Sequence, residues 1–305
     1  MVVCDGPLVP DYRRPGGSCE SPRRVAVFGA TGSIGRSALD VVRGAPDLFE
    51  VAALGAGRNE AALQPLIEEF RPRWAVLEAP WTGACSHHGE TEYLVGPEAL
   101  CEVAQHGEVD VVLAAVVGMA GLPSVLAALG AGKTVALANK ESLVMAGELV
   151  RQLCRDRGGS IVPVDSEHSA IFQSLQGSEA HEVEGLILTA SGGPFLNTPL
   201  DALRAITPAQ ALKHPRWSMG AKISVDSATM VNKALEVIEA AWLFGLPPER
   251  ISVVVHPQSI VHSLVEFIDG SQVAQLSHPD MRGPIAYALR YPGPRVRGVM
   301  QRLNL

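Results

Sequence analysis

The chain has 305 residues, of which 47% are hydrophobic, and its net charge is −7. This length allows two domains, and the hydrophobic content is enough for a sizeable core. The acidic balance argues against nucleic acid as a general partner, because phosphate backbones require a basic face. The longest apolar runs are too short to cross a bilayer, which argues against a membrane protein.

Residues 1–22 are rich in proline, glycine and charge, and they contain no apolar segment of the kind that secretory signals carry. We therefore expect a disordered leader rather than a signal peptide. The five cysteines are scattered and none forms a CxxC pair, which argues against a disulfide framework or a zinc site. This pattern fits a reducing, cytoplasmic environment.

Short apolar strands alternate with helices over residues 23–160. The strands are expected at 25–28, 51–54, 75–77, 110–116 and 134–138, and the helices at 36–42, 60–70 and 122–129. This alternation is typical of a doubly wound parallel sheet with helices on both faces. We predict a Rossmann-like α/β domain for this part of the chain.

A glycine-rich turn joins the first strand to the first helix, with the sequence Gly29-Ala30-Thr31-Gly32-Ser33-Ile34-Gly35. Glycines at such a turn let the backbone approach a pyrophosphate, so the turn predicts a dinucleotide site. Gly57-Arg58-Asn59 follows the second strand, where an NAD enzyme usually carries an acidic residue. An arginine there accepts a 2'-phosphate and favours NADP, unless it is an ordinary exposed arginine.

The tripeptide Asn139-Lys140-Glu141 follows the strand at 134–138. Ligands of α/β folds bind at the carboxyl ends of the strands, so this position favours a ligand contact. The alternative is a plain surface ion pair between the lysine and the glutamate.

The pattern changes after residue 160. Strands are expected at 186–188, 251–255, 260–267 and 272–276, with few helices between them. Asp269-Gly270 separates the last two and is a strong hairpin signal. We predict an α+β domain with an antiparallel sheet over residues 161–305, and a domain boundary near Gly158-Gly159.

Two acidic residues follow a predicted strand at 161–164. Asp165 and Glu167 are two apart, so an extended backbone would point both carboxylates the same way. Adjacent anions call for a cation, and a set of oxygen ligands completed by Glu236 suits Mg²⁺ or Mn²⁺. His168 could be a further ligand, but a hydrogen-bonding role is commoner for a histidine at a helix start, and we leave it out of the metal set.

The segment 214–236 combines an aromatic loop, a short β-branched strand and a helix that is expected to begin at Asp226-Ser227. Asn232 and Glu236 are four apart and share one helix face, with Lys233 beside it. A hydroxyl, an amide and an ammonium near a helix start suit a phosphate, although capping and a solvated face explain the same residues. The loop at 214–219 is either a lid that excludes water or a packed surface loop.

A further glycine-rich turn, Ser191-Gly192-Gly193-Pro194, follows the strand at 186–188. Such a turn can cradle an anion, and it can equally be an ordinary turn.

Together these motifs resemble the 1-deoxy-D-xylulose 5-phosphate reductoisomerase family over residues 23–305. The resemblance is carried by six segments, at 29–35, 139–144, 163–173, 191–195, 214–233 and 256–263. It implies an enzyme of the non-mevalonate isoprenoid pathway that rearranges 1-deoxy-D-xylulose 5-phosphate and reduces the product with NADPH to 2-C-methyl-D-erythritol 4-phosphate. It also implies a homodimer built through the second half of the chain.

The resemblance assigns roles to individual positions. It implies that NADPH is held by Thr31, Gly32, Ser33, Ile34, Gly57, Arg58, Asn59, Asn139, Glu141 and Gly220. It implies that a divalent metal (Mn²⁺, Mg²⁺ or Co²⁺) is held by Asp165, Glu167 and Glu236. It implies that the phosphorylated sugar is held by Lys140, Ser166, Ser191, His214, Ser227, Asn232 and Lys233, with Glu167 and Glu236 also at the substrate.

The resemblance also implies a C-terminal helical domain, which we expect to be absent from this chain because the matched motifs run close to residue 305. The alternative expectation is therefore a truncated, non-catalytic protein that binds nucleotide or partners.

Overall fold

The computed structural model describes residues 7–10, 21–82, 89–217 and 220–304. The chain divides into two compact units. The first contains Leu8–Asp165 together with Met281–Val299, and the second consists chiefly of Ser166–Asp280. The boundary after Asp165 lies five residues beyond the predicted one, and a late segment that we had assigned to the second domain belongs to the first unit.

A seven-stranded parallel sheet forms the first unit, in the order β4-β3-β2-β1-β5-β6-β7. Its strands are β1 Arg23–Phe28, β2 Phe49–Ala56, β3 Trp74–Leu77, β4 Glu92–Val95, β5 Val111–Ala114, β6 Thr134–Leu137 and β7 Ser160–Pro163. The strands β3 and β5 are buried along their whole length, as expected where helices cover both faces. The prediction of a Rossmann-like doubly wound sheet is confirmed.

Among the residues that the structure describes, six α-helices belong to this unit: α1 Ser33–Gly44, α2 Glu60–Phe70, α3 Pro97–Gln105, α4 Leu122–Gly130, α5 Lys140–Arg157 and α10 Arg282–Arg290. The predicted bounds of α2 match the observed ones. We did not predict β4, α3, α5 or α10. The last of these packs on α1, β6 and β7 through a buried run from Ile285 to Leu289, which explains why Met281–Val299 joins the first unit.

The second unit is built on a four-stranded sheet in the order β11-β10-β8-β9. Its elements are α6 Ser166–Ser174, β8 Val183–Ala190, α7 Pro208–Ala211, α8 Ala221–Ala228, α9 Val231–Phe244, β9 Ile251–Val255, β10 Val261–Phe267 and β11 Gln272–Leu276. The hairpin at Asp269-Gly270 is confirmed, and Gly270 has the positive φ (83°) that its turn requires. The expected antiparallel sheet needs a correction, because β9 pairs with β8 in parallel and the sheet is mixed.

The segment predicted as a β-branched strand before Ser227 is helical. Ile223 and Val225 suggested a strand, but they lie inside α8, which buries Ser224 and carries an i,i+4 ion pair between Lys222 and Asp226. Strand propensity is therefore overridden by the local contacts of this helix.

The predicted leader lies mostly outside the described residues, which omit 1–6 and 11–20. Within it, Leu8 and Val9 are buried, so this pair is packed against the protein rather than disordered.

Among the described residues, no helix combines the length and apolar character that a membrane crossing requires.

Candidate active site

The glycine-rich turn between β1 and α1 is shaped by close backbone contacts. Gly29 has φ of 88°, and a Cβ there would lie 2.4 Å from the carbonyl oxygen of Ala115. A Cβ at Gly35 would lie 2.3 Å from the carbonyl oxygen of Gly29. Gly32 precedes α1 and offers no side-chain cap. The first backbone N–H groups of α1 therefore remain available to an anion, as the predicted pyrophosphate site requires.

The end of β2 presents Gly57, Arg58 and Asn59 on the surface. Asn59 caps α2, because its Oδ1 accepts a hydrogen bond of 3.0 Å from the backbone N–H of Ala62. Arg58 is exposed, as a residue that meets a 2'-phosphate must be. A carboxylate that we did not predict, Glu78, also lies beside this turn. Its Oε2 is 3.4 Å from the position that a Cβ on Gly57 would occupy. Glu78 follows β3, so its position after a strand was the available signal.

Asn139 is buried, and its side-chain amide is engaged within the protein. Its Nδ2 donates to the carbonyl oxygens of Val116 at 2.6 Å and Gly118 at 2.8 Å. Its Oδ1 accepts from the backbone N–H of Ser142 at 2.9 Å and from the Ser142 hydroxyl. Asn139 therefore caps α5 and holds the loop after β5, and its assignment to the cofactor site stays a prediction.

Two further predicted ligand residues lie at the start of α5 and after β7. The ammonium of Lys140 is 2.8 Å from Oδ2 of Asp165, and both side chains are largely buried. The structure thus pairs a lysine predicted to contact substrate with a carboxylate predicted to bind metal. Glu141 lies half-buried in the first turn of α5.

The carboxylates at the start of α6 do not lie on extended backbone, which corrects our expectation. Ser166 and Glu167 form the first turn of α6, where an acidic side chain is favoured by the helix dipole. Only Ser166 separates Asp165 from Glu167, so their Cα atoms lie within about 7 Å of each other.

One face of α9 meets Glu167. Lys233 Nζ lies 2.7 Å from Glu167 Oε1, pairs with Glu236, and donates to the carbonyl oxygen of Thr189 at 2.5 Å. Asn232 donates to Glu236 Oε1. The predicted shared face of Asn232 and Glu236 is confirmed, and its spacing follows from the helical repeat.

Lys233 lies between two carboxylates, and this placement decides its charge state. Burial lowers the pKa of Lys233, but the carboxylates of Glu167 and Glu236 outweigh burial and raise the pKa above its usual value. The ammonium is therefore charged and offsets part of the negative charge of this buried acidic pair, which would be unstable without a cation.

The same carboxylates have the chemistry of a divalent-cation site. One oxygen of Glu167 lies within 4.8 Å of one oxygen of Glu236, and Glu236 is only 1% exposed. Hard cations such as Mg²⁺ and Mn²⁺ prefer carboxylate oxygens. The donor set fits the predicted metal.

Ser191 and His214 form a second polar pair in this unit. The Nδ1 of His214 accepts the backbone N–H groups of Arg216 at 3.2 Å and Trp217 at 3.0 Å. Its proton therefore lies on Nε2, which donates to the hydroxyl oxygen of Ser191 at 2.9 Å. Burial lowers the pKa of His214. The imidazole is thus a neutral donor that orients Ser191.

Ser227 is the predicted residue whose position differs most. It lies in the last turn of α8, and Met230, with φ of 62°, separates that helix from α9. Ser227 is therefore not at a helix start.

Gly220 precedes α8 and belongs to the second unit. Trp217 is half-buried, whereas Ser218 and Met219 of the predicted lid lie outside the described residues.

Models of one family match most of the chain. The model described as 1-deoxy-D-xylulose 5-phosphate reductoisomerase matches residues 25–147, and that of the C-terminal domain of the same enzyme matches residues 161–244. The chain belongs to the 1-deoxy-D-xylulose 5-phosphate reductoisomerase family.

Relatives and solved structures agree with this assignment. The reductoisomerase of Pseudomonas aeruginosa is 53% identical over 282 residues, which cover 89% of this chain and 71% of the relative. That of Geobacter metallireducens is 54% identical over 274 residues, covering 88% and 71%.

A solved reductoisomerase in complex with NADPH, fosmidomycin and magnesium superposes with a TM-score of 0.87 at 45% identity, covering 92% of this chain and 72% of that one. The enzyme from Zymomonas mobilis in complex with NADPH gives 0.85 at 45%, covering 93% and 74%.

Proposed function

We propose that the chain isomerises 1-deoxy-D-xylulose 5-phosphate and reduces the product with NADPH to 2-C-methyl-D-erythritol 4-phosphate. The observation that carries this proposal is the buried cluster of Glu167, Lys233 and Glu236. Membership of the reductoisomerase family supports it, as does the solved relative that binds NADPH and magnesium.

NADPH is assigned to the first unit. The open amides at the start of α1 suit its pyrophosphate, and Thr31, Gly32, Ser33 and Ile34 are the residues of the turn and of the helix start. Exposed Arg58, with Gly57 and Asn59, suits the 2'-phosphate. Asn139 supports this site through the 116–118 loop, and Glu141 and Gly220 remain assigned to it by family resemblance. NADPH supplies the hydride.

The metal is assigned to Asp165, Glu167 and Glu236. Glu167 and Glu236 lie together in the second unit, and Asp165 is joined to them by the chain at the start of α6. A divalent cation held there, Mg²⁺, Mn²⁺ or Co²⁺, supplies a Lewis acid for neighbouring carbonyl and hydroxyl oxygens.

The protein's own groups bind and orient the phosphorylated substrate. Lys233 and Lys140 are charged donors, Asn232 and Ser227 are neutral ones, and neutral His214 orients the Ser191 hydroxyl. Ser166 donates to Glu167 and steadies that carboxylate. Fixing the phosphate end orients the reacting end, so binding energy supports the rearrangement. In the reduction the aldehyde carbon takes the hydride and its oxygen takes a proton.

We also propose a homodimer built through the mixed sheet. The edge strand β9 exposes Val253, Val254 and Val255 by 40%, 50% and 45%. Exposed apolar edges call for cover, which a second copy of the sheet would give. Sedimentation velocity at micromolar concentration should show a dimer, and a monomer would contradict this assignment.

A cytoplasmic location is consistent with the free thiols of Cys101 and Cys154.

Substrate-dependent oxidation of NADPH by the purified chain tests the function. Oxidation should require both 1-deoxy-D-xylulose 5-phosphate and Mg²⁺ or Mn²⁺, should stop when a chelator is added, and should resume with fresh metal. The product should be identified as 2-C-methyl-D-erythritol 4-phosphate by NMR. If NADPH and metal bind but no substrate is consumed, the proposal fails.

A further inference from the structure

A second buried acidic residue lies one turn beyond Glu236 on α9. Glu239 is 0% exposed, and its Oε2 lies 3.5 Å from Nδ1 of His168, which is also 0% exposed. Neither side chain belongs to the proposed metal or substrate sets. A polar group so deep in a protein needs a partner, and the Glu239 carboxylate faces the histidine ring.

His168 in turn connects two helices. Its Nε2 lies 2.9 Å from the backbone carbonyl oxygen of Glu236, and it must donate there because a carbonyl oxygen only accepts. The ring also stacks beside Phe244 of α9, with centroids 6.5 Å apart. His168 follows Glu167 directly on α6. The chain of contacts from Glu239 through His168 to the Glu236 backbone therefore ties the first turn of α6 to the middle of α9.

Those two helical positions carry the carboxylates of the proposed metal site. Mg²⁺ requires oxygen ligands at about 2.1 Å in near-octahedral geometry, so small changes in carboxylate spacing weaken its binding. A buried ring packed on all sides cannot shift freely. His168 is thus held in place directly after Glu167 in the sequence and against the backbone of Glu236.

We propose that Glu239 is a positioning residue: through His168 it sets the spacing of Glu167 and Glu236 for a divalent cation. The proposal rests on the metal site of the proposed function. It differs from a role in stability alone because it predicts a loss of metal affinity in a folded variant, and it differs from direct ligation because Glu239 acts through the histidine.

The test measures Mn²⁺ binding to the purified full chain, without substrate, by electron paramagnetic resonance of the free ion. Glu239→Ala should raise the Kd for Mn²⁺ about 10- to 100-fold, the usual effect of losing a group that orients metal ligands. Glu239→Gln keeps the volume and an oxygen that faces His168, so it should restore part of the affinity. Glu184→Ala, at an exposed position on β8, is the matched control and should leave the Kd unchanged.

The variants also separate this proposal from the one that it rests on. If Glu236→Gln weakens Mn²⁺ binding and both Glu239 variants bind as the parent does, the positioning role is wrong and the metal site stands. If Glu236→Gln has no effect either, the metal site itself is wrong. Equal losses in Glu239→Gln and Glu239→Ala would indicate direct ligation and would also overturn positioning.

Thermal unfolding and NADPH titration complete the comparison. A folded Glu239→Ala variant with a lower Tm but an unchanged Mn²⁺ Kd has lost a purely structural contact, which overturns the proposal. If Glu239→Ala does not fold, Glu239→Gln decides: its Kd for Mn²⁺ must rise several-fold, and an unchanged value overturns the proposal. The Kd for NADPH should not change in a folded variant, because the nucleotide residues apart from Gly220 lie in the first unit.

Discussion

Replacing Glu236 with glutamine removes one charge from the proposed metal site and little else. Glu236 is buried, and its carboxylate contacts Lys233 and Asn232. Asn232 contacts one oxygen of this carboxylate and Lys233 the other. The amide oxygen of glutamine can keep the contact with Lys233, and its NH2 group can donate to Asn232 once the Asn232 amide has turned. Lys233 also keeps Glu167 and the Thr189 carbonyl as partners. We therefore expect Glu236→Gln to fold and to bind NADPH as the parent does.

The expected loss lies in metal affinity. A hydrogen-bonded or ligating contact to a charged group contributes about 1.5–3 kcal/mol. Each 1.4 kcal/mol is a factor of ten, so the Kd for Mn²⁺ should rise roughly 10- to 100-fold. Turnover at limiting metal should fall by a similar factor, and saturating metal should restore part of it.

Isothermal titration of the metal-stripped chain with Mn²⁺ measures this effect. Glu184→Gln makes the same chemical change at an exposed position of the same unit and should leave the isotherm unaltered. An unchanged Mn²⁺ affinity in Glu236→Gln would refute the assignment of this carboxylate as a ligand.

Three other predictions follow from the site. Arg58→Glu should abolish or invert a preference for NADPH over NADH of roughly 1–3 kcal/mol, measured by titration; equal affinities in the parent would contradict it. Asn139→Ala removes a helix cap and the partners of two carbonyl groups, so it should lower Tm and weaken NADPH binding, and unaltered binding would show that the 116–118 loop needs no such support. Burial lowers the pKa of His214 in the folded chain. As the pH falls below about 6.5, the histidine of the unfolded chain is protonated first, so the free energy of unfolding decreases as the pH decreases. Urea unfolding at several pH values should show a shallower fall in His214→Gln, and parallel curves would be evidence against it.

The sheet of the first unit could be predicted because its strands are short apolar runs followed by glycine-rich or polar turns. The strand β4 escaped prediction because it lies at the sheet edge and buries none of its residues fully. The helix α10 escaped because its packing on α1 joins segments far apart in the chain. Neither the edge position of β4 nor the packing of α10 is a local feature of the sequence, so neither could be predicted from the pattern of apolar and polar residues.

In the candidate site too, features set by local sequence could be predicted, whereas features set by the packing of distant segments could not. The spacing of Asn232 and Glu236 on one helix face follows from the helical repeat and was predictable. The position of Lys233 between Glu167 and Glu236 was not, because it depends on how α6 packs against α9. Ser227 was misplaced for a related reason: β-branched residues suggested a strand where the chain forms α8 and then turns at Met230.

Transfer of deuterium from NADPH to the product tests directly whether the chain rearranges and reduces 1-deoxy-D-xylulose 5-phosphate. The chain, Mn²⁺ and 1-deoxy-D-xylulose 5-phosphate would be incubated with NADPH carrying deuterium at the transferred position of C4, and the product would be analysed by mass spectrometry and NMR. We expect 2-C-methyl-D-erythritol 4-phosphate that carries a single deuterium, formed only when metal is present. Unlabelled product, or substrate that is returned unchanged while NADPH and metal are bound, would contradict it.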